Sequence, residues 1–277
     1  MITIRTDHFS LDQICRSGQC FRMERTESQA GEEGESYEII AGYHYLRASQ
    51  KGEECLLYCS PEEFQYFWKG YFDLENDYDA YISRIDPRDT YLLHAAETGG
   101  GIRILRQDLW EMIVSFLISQ QNNIVRIRRC IRNLCETYGE RRMTEEGKEY
   151  FGFPGPEILA GLEEDGLMAC NLGYRSKYVV RTARSVASGE TDLERIRKLP
   201  YKKAREELLG LFGVGEKVAD CICLFALHHL EAFPVDTHIS QALSAHYKRG
   251  FPKRRYRGFQ GVLQQYIFFY ELTKEKP

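Results

Sequence analysis

Lys217 and Asp236 are the residues of this chain whose types and spacing most directly suggest chemistry. The lysine ends the run Leu209-Gly-Leu-Phe-Gly-Val-Gly-Glu-Lys, and the aspartate lies in Phe233-Pro-Val-Asp-Thr-His. A neutral lysine amine can attack carbon and form a Schiff base. Two features favour the neutral form here. Lys217 stands in the first turn of a predicted helix, where the dipole repels a cation, and a cleft around it would desolvate the charge. A solvated surface lysine is the plain alternative. Asp236 precedes another predicted helix as its N-cap, and backbone N–H bonds there would hold the carboxylate in place and ionised. A fixed anion beside a sugar C1′ stabilises an oxocarbenium-like transition state, although the residue can equally be a cap and nothing more.

The glycines before Lys217 supply the third part. Gly210, Gly213 and Gly215 permit tight turns and positive backbone angles between a helix ending near Leu209 and one starting near Glu216. Helix, Gly213-Val-Gly215 turn and helix is a helix-hairpin-helix pattern. Its free N–H groups and helix dipole can hold a DNA phosphate without reading sequence. A glycine C-cap between two packed helices would produce a similar string. The hairpin, the amine and the carboxylate together suggest chemistry on a nucleotide.

The elements that must position these groups fall into two regions. Residues 1–60 read mainly as strands, with Tyr37–Arg47 and Cys55–Cys59 the clearest and a Gly/Glu/Ser-rich hairpin loop over 27–36. From Pro61 the period turns helical. Asp108–Ile118 is a strongly apolar helix that runs into the polar joint Ser119-Gln-Gln-Asn-Asn, and Ile124–Tyr138 follows as a second helix. Further helices are predicted at 156–169, 176–188, 202–210, 217–229, 237–247 and Phe259–Leu272, with a break at glycines 99–101. Strands followed by helices predict an α+β protein. Its parts are a small N-terminal antiparallel β-sheet domain with flanking helices (1–100) and a mainly α-helical body (101–277) holding the hairpin at about 202–229.

Composition narrows the classes. No stretch approaches the roughly 20 apolar residues of a membrane span, and the N-terminus lacks the apolar core of a signal peptide, so an intracellular protein is expected. Nine cysteines, an odd number, predict reduced thiols, and their spacings offer no zinc set. The net charge of −4 argues against nucleic acid taken alone, but Arg126–Arg132 and Lys248–Arg257 are basic segments that can face phosphates.

Leu211-Phe-Gly-Val-Gly-Glu-Lys-Val-Ala-Asp-Cys-Ile-Cys-Leu with Phe233-Pro-Val-Asp-Thr-His resembles the helix-hairpin-helix/Gly-Pro-Asp superfamily of DNA glycosylases. Within it the chain is most similar to the eukaryotic-type 8-oxoguanine DNA glycosylases. Ser17-Gly-Gln-Cys-Phe-Arg, Asn122-Asn-Ile-x-Arg126, Asn171-Leu-Gly-Tyr-Arg-x-x-Tyr178 and the helix with Gln264 and Phe268 extend the resemblance over nearly the whole chain. It implies a bifunctional glycosylase/AP lyase that flips oxidised guanine out of duplex DNA. The Gly18 carbonyl would accept the N7–H that guanine lacks, Phe268 would stack on the base, Gln264 would bond its Watson–Crick edge and Cys221 would line the other face.

By the same resemblance Arg126 and Arg175 would contact the orphaned cytosine, Tyr174 would wedge into the duplex, Asn122 would fill or border the gap, and His238 would touch a phosphate. The joint departs from the family by reading Gln120-Gln121-Asn122-Asn123, which makes Gln121 a candidate gap filler and puts stringency for cytosine in doubt. Lys217 separates this reading from monofunctional alkyl-base glycosylases, and the four-cysteine iron–sulfur loop of some relatives is absent. No cofactor or metal is required, with a monovalent cation or Ca at the hairpin carbonyls as an optional ligand. The implied protein is a monomer whose partner is duplex DNA, working in a bacterial cytoplasm or, in a eukaryote, the nucleus.

Overall fold

The computed structural model describes residues 1–28 and 34–274. The middle of the hairpin loop read over 27–36 therefore lies outside the described residues, but its end does not, because Glu35 and Ser36 already belong to a strand. Strands β1 (Ile2–Arg5), β2 (Met23–Thr26), β3 (Glu35–Ala41), β4 (His44–Lys51) and β5 (Glu54–Tyr58) form one antiparallel sheet in the order β1-β5-β4-β3-β2. Alternation sends Tyr37, Ile39 and Ala41 of β3, Leu46 and Ala48 of β4, and Cys55 and Leu57 of β5 into one buried face. Leu11, Ile14, Trp68 and Phe72 complete that core.

Two parts of this region differ from the sequence reading. Leu11–Arg16 is a helix inside the stretch read as strands, capped by Ser10 Oγ, which accepts from the Gln13 amide at 3.2 Å. At six residues it is too short for a helical period to show. The helix from Pro61 widens into a π-helical turn over Phe64–Trp68, which carries Trp68 into the sheet's core.

The helical body is built around Leu109–Ser119, buried from Leu109 to Ile118. Asp108 caps its start, accepting from the Glu111 amide at 2.9 Å, and Asn123 caps Ile124–Tyr138 by accepting from the Arg126 amide at 2.9 Å. The helix expected over 156–169 stops at Ala160, where Gly161 and the Glu/Asp/Gly run after it end the apolar period. The one expected to reach 229 stops at Phe225, because the chain turns back there: the His229 amide donates to the Cys223 carbonyl at 2.9 Å, and His228 has φ 54°. Glycines 99–101 do more than break a helix. Gly99 is the last residue of Thr90–Gly99, and a Cβ there would sit 3.3 Å from the Tyr266 Cα, so the glycine lets this helix close on Gln260–Thr273.

Buried polar residues join the two regions. Arg22 Nη1 lies 3.2 Å from Glu111 Oε2, which also accepts from the Gly42 amide at 3.0 Å. Asp73, 1% exposed in its side chain, accepts from Arg106 Nε at 3.0 Å, Asn76 Nδ2 at 2.8 Å and the Tyr78 hydroxyl at 3.0 Å, with His228 Nε2 3.1 Å away. Burial alone would raise this carboxyl's pKa. The hydrogen bonds and positive charge around it outweigh burial and hold it at about 2. All nine cysteines are buried free thiols, and among the described residues no helix is long and apolar enough to cross a membrane.

Candidate active site

The hairpin joins the helices Tyr201–Leu209 and Glu216–Phe225. Its three glycines are not equivalent. Gly210 is right-handed helical at φ −71° and Gly215 is extended at φ −95°; only Gly213 takes the positive angle expected of all three, at φ 87°. A Cβ on Gly213 would press to 2.7 Å from the Tyr178 ring, whereas a Cβ on Gly215 would meet no protein atom within 4 Å. Gly213 is therefore required by the fold. Gly215 opens its backbone toward the groove at the N-terminus of the following helix.

Lys217 is in the first turn of that helix, half-buried, with Nζ 5.4 Å from the Phe116 ring centroid. Cys221 lies one turn further along. Burial pushes its thiol pKa up, and the charge and hydrogen bond of Lys217 oppose that rise. Asp236 is the N-cap of Thr237–His246 as expected, with Oδ1 accepting from the Ile239 amide at 2.8 Å.

These groups meet in one small pocket that is partly open to solvent. Lys217, Cys221, Phe225 and Phe116 line it from the two central helices, Pro234 and Asp236 from the loop between Glu216–Phe225 and Thr237–His246, Gln264, Gln265 and Phe268 from the C-terminal helix, and Ser17 and Gly18 from the N-terminal region. The Ser-Gly-Gln triplet acquires a mechanical explanation. Gln19 Nε2 donates to Ser17 Oγ at 3.0 Å and to the Arg103 carbonyl at 2.9 Å, while Gln19 Oε1 accepts from the Leu105 amide at 2.9 Å. That clamp fixes Gly18 at φ 73°, where a Cβ would be 3.3 Å from Phe268 Cε1. Gln264 points its Nε2 at the Pro234 carbonyl, 3.0 Å away.

A wider groove shares Gly18, Phe116, Lys217, Asp236 and Phe268 with the pocket and continues past Gln121, Asn122, Gly215 and His238. Gln121 is exposed at φ 47°, Asn122 Nδ2 donates to the Ile118 carbonyl at 3.1 Å, and the His238 ring stands edge-on to Phe268 at 6.1 Å. Tyr174 is exposed, with its hydroxyl 3.4 Å from the Gln120 carbonyl, and Arg126 is exposed on the first turn of its helix beside Cys130.

Arg175 is the exception among the expected surface contacts. It is 4% exposed, and its guanidinium donates to the carbonyls of Gln120, Gln121 and Leu172 instead of facing the groove. The carbonyls of Gln120 and Gln121 follow the end of Leu109–Ser119 and receive no backbone amide among the described residues, so they capture the fork of donors. Sequence reasoning gave no role of its own to Gln120, whose Nε2 donates to the Gly213 carbonyl at 3.0 Å, or to Gln265 in the pocket wall. The only signal for either was its place beside a residue already singled out.

A separate cavity lies between the sheet and Ile124–Tyr138, but its charges are largely neutralised in pairs such as Arg132–Glu24 and Lys148–Glu38. Among the described residues no group of three His, Cys, Asp or Glu is placed to hold a metal ion.

Residues 1–113 match the family model of the 8-oxoguanine DNA glycosylase N-terminal domain, and residues 114–255 match that of HhH-GPD superfamily base excision DNA repair proteins. The chain is 40% identical over 159 residues to the N-glycosylase/DNA lyase of Saccharomyces cerevisiae, a match covering 53% of this chain and 42% of the yeast protein. It is 31% identical over 227 residues to the probable N-glycosylase/DNA lyase of Methanothermobacter thermautotrophicus, 71% of each. Among solved structures, the Clostridium acetobutylicum 8-oxoguanine glycosylase/lyase in complex with double-stranded DNA containing cytosine opposite 8-oxoG superposes with a TM-score of 0.86 at 34% identity, covering 98% of this chain and 97% of that one. With an amine, a capping carboxylate and a glycine hairpin around one pocket, and with both family models matched in order, this chain belongs to the HhH-GPD superfamily of base excision DNA repair proteins.

Proposed function

We propose that the chain is a bifunctional DNA glycosylase/AP lyase that removes 8-oxoguanine from duplex DNA. The observation that carries this reading is the convergence of Lys217 and Asp236 with Gly18, Cys221, Gln264 and Phe268 on one pocket. The Gly215 backbone and the helix start beside it hold a phosphate, with His238 contacting the backbone nearby. The flipped base enters between Phe268 and Cys221. The Gly18 carbonyl, which accepts no hydrogen bond from the described residues, takes the N7–H of the oxidised base. Guanine would set its bare N7 against that carbonyl, acceptor to acceptor, and is rejected.

Lys217 sheds a proton and attacks C1′ while the electrons of the N-glycosidic bond leave with the base. Asp236, held by the Ile239 amide, stabilises the positive charge that develops on the sugar. Opening of the sugar ring at C1′–O4′, with a proton taken up by O4′, turns this adduct into a Schiff base that acidifies the C2′ protons; loss of one of them by β-elimination breaks the C3′–O bond and nicks the strand. Gln121 and Asn122 occupy the gap left in the duplex, Tyr174 wedges beside it, and Arg126 reads the orphaned cytosine. Arg175 supports this joint from behind. The residues present carry the reaction without a cofactor. A monovalent cation or Ca at the hairpin would share the Gly213 carbonyl with Gln120 Nε2. Such a substrate places the protein with the chromosome, in a bacterial nucleoid or a eukaryotic nucleus.

Borohydride trapping on a duplex carrying 8-oxoguanine opposite cytosine tests the reading. A covalent protein–DNA adduct is expected from the native chain and none from Lys217→Gln. Base release from the native chain without an adduct would make it monofunctional, and neither product would leave only DNA binding.

A further inference from the structure

Gln265 lines the pocket, is 3% exposed, and has no part in the reaction as described so far. Its Nε2 donates to Gln264 Oε1 at 3.2 Å, and Gln264 Nε2 donates to the Pro234 carbonyl at 3.0 Å. The direction of this relay is set from the backbone. A carbonyl can only accept, so Pro234 requires the NH₂ end of Gln264. The Gln264 oxygen then faces Gln265 and requires its NH₂ end in turn. The relay ends on Gln265 Oε1, a buried acceptor with no donor. Nearly all such atoms in folded proteins find a partner.

We propose that Gln265 Oε1 accepts a hydrogen bond from the exocyclic 2-amino group of the flipped purine, which makes Gln265 a specificity-determining residue of the reaction proposed above, on which this assignment rests. The Watson–Crick edge of 8-oxoguanine offers an acceptor at O6 followed by donors at N1 and at the 2-amino group. Its complement is one donor and two acceptors. The remaining N–H of Gln264 supplies the donor and the second lone pair of Gln264 Oε1 the first acceptor. Gln265 Oε1 is the second acceptor, and its orientation is fixed before the base arrives. A purine without the 2-amino group leaves that oxygen buried and unpaired, which disfavours it.

The test is single-turnover excision from duplexes holding 8-oxoguanine or 8-oxohypoxanthine opposite cytosine, the second base differing only in lacking the 2-amino group. The native chain should prefer 8-oxoguanine by about tenfold, the effect of leaving one buried acceptor unpaired. Gln265→Leu should bring the ratio of the two rates close to one, even if both rates fall because Gln264 has lost its donor. A ratio unchanged in Gln265→Leu would overturn the proposal, since a role through packing, through Gln264 or through a bound water affects both bases alike. Should Gln265→Leu fail to fold, judged by its thermal melt, the native ratio decides: equal excision of the two bases overturns the assignment and a preference for 8-oxoguanine upholds it. A native chain that releases neither base overturns the functional reading itself, and this proposal with it.

Discussion

Arg175 and Gln120 are joined twice: Nε and Nη2 of the guanidinium both donate to the Gln120 carbonyl, at 2.8 and 2.5 Å. Gln120 is the residue at which the buried helix Leu109–Ser119 ends, and its own side chain reaches across to the Gly213 carbonyl at 3.0 Å. One arginine thus satisfies carbonyls at a helix C-terminus, where a cation is also favoured by the dipole. The joint that it holds leads into Gln121, a non-glycine residue at φ 47°. Such a conformation persists only where its surroundings enforce it.

Arg175→Ala should therefore lower stability, by about 2–3 kcal/mol for buried carbonyls that lose charged donors, and also weaken binding to a lesion-containing duplex. Arg175→Lys should recover only part of both losses, because an ammonium lacks the planar fork. Denaturant unfolding and fluorescence anisotropy on the same preparations check this. If Arg175→Ala unfolded like the native chain and lost only its discrimination for cytosine, the arginine would be acting on the base and not on the joint.

The hairpin glycines should separate fold from binding. Gly213→Ala places a methyl group 2.7 Å from the Tyr178 ring at a φ of 87°, so it should cost about 1–3 kcal/mol of stability. Gly215→Ala adds its methyl group to open space at φ −95°, so the melting temperature should hardly move. Its effect should be on DNA affinity, because the methyl group stands where a phosphate would approach the backbone. Equal losses of melting temperature in the two variants would contradict this division.

What could be read from the sequence follows the range of the interaction responsible. Asp236 is a cap whose partner lies three residues away, and it was readable as a helix entry. The convergence of Lys217, Asp236, Gly18, Gln264 and Phe268 came from resemblance, since no period or spacing places residue 18 beside residue 268. The burial of Arg175 was not readable, because two of its three acceptors are backbone carbonyls 54 and 55 positions away and carry no residue signature. Gln120 and Gln265 were hidden for the same reason: each looks like a polar neighbour of a motif until its partner across the fold is known. The Leu11–Arg16 helix was missed through length alone.

Asp73 provides a test in which the sign is fixed by its surroundings. Its carboxyl is held at about 2 in the folded chain, below the usual value of 3.8, by donors that outweigh its burial. The folded state therefore gives up the Asp73 proton more readily than the unfolded state does, and the ionised carboxylate stabilises the fold. That contribution is complete above roughly pH 4 and is lost as the pH falls toward 2. A depression of this size corresponds to about 2 kcal/mol. Asp73→Asn should thus be less stable than the native chain at pH 7 by at least that amount, since Arg106 also loses its partner. Denaturant midpoints measured for both chains from pH 7 to pH 3 should approach one another only at the acid end. A gap that stayed constant down to pH 3 would mean that the loss comes from geometry alone, and that the charge of Asp73 does not hold its loop against the body.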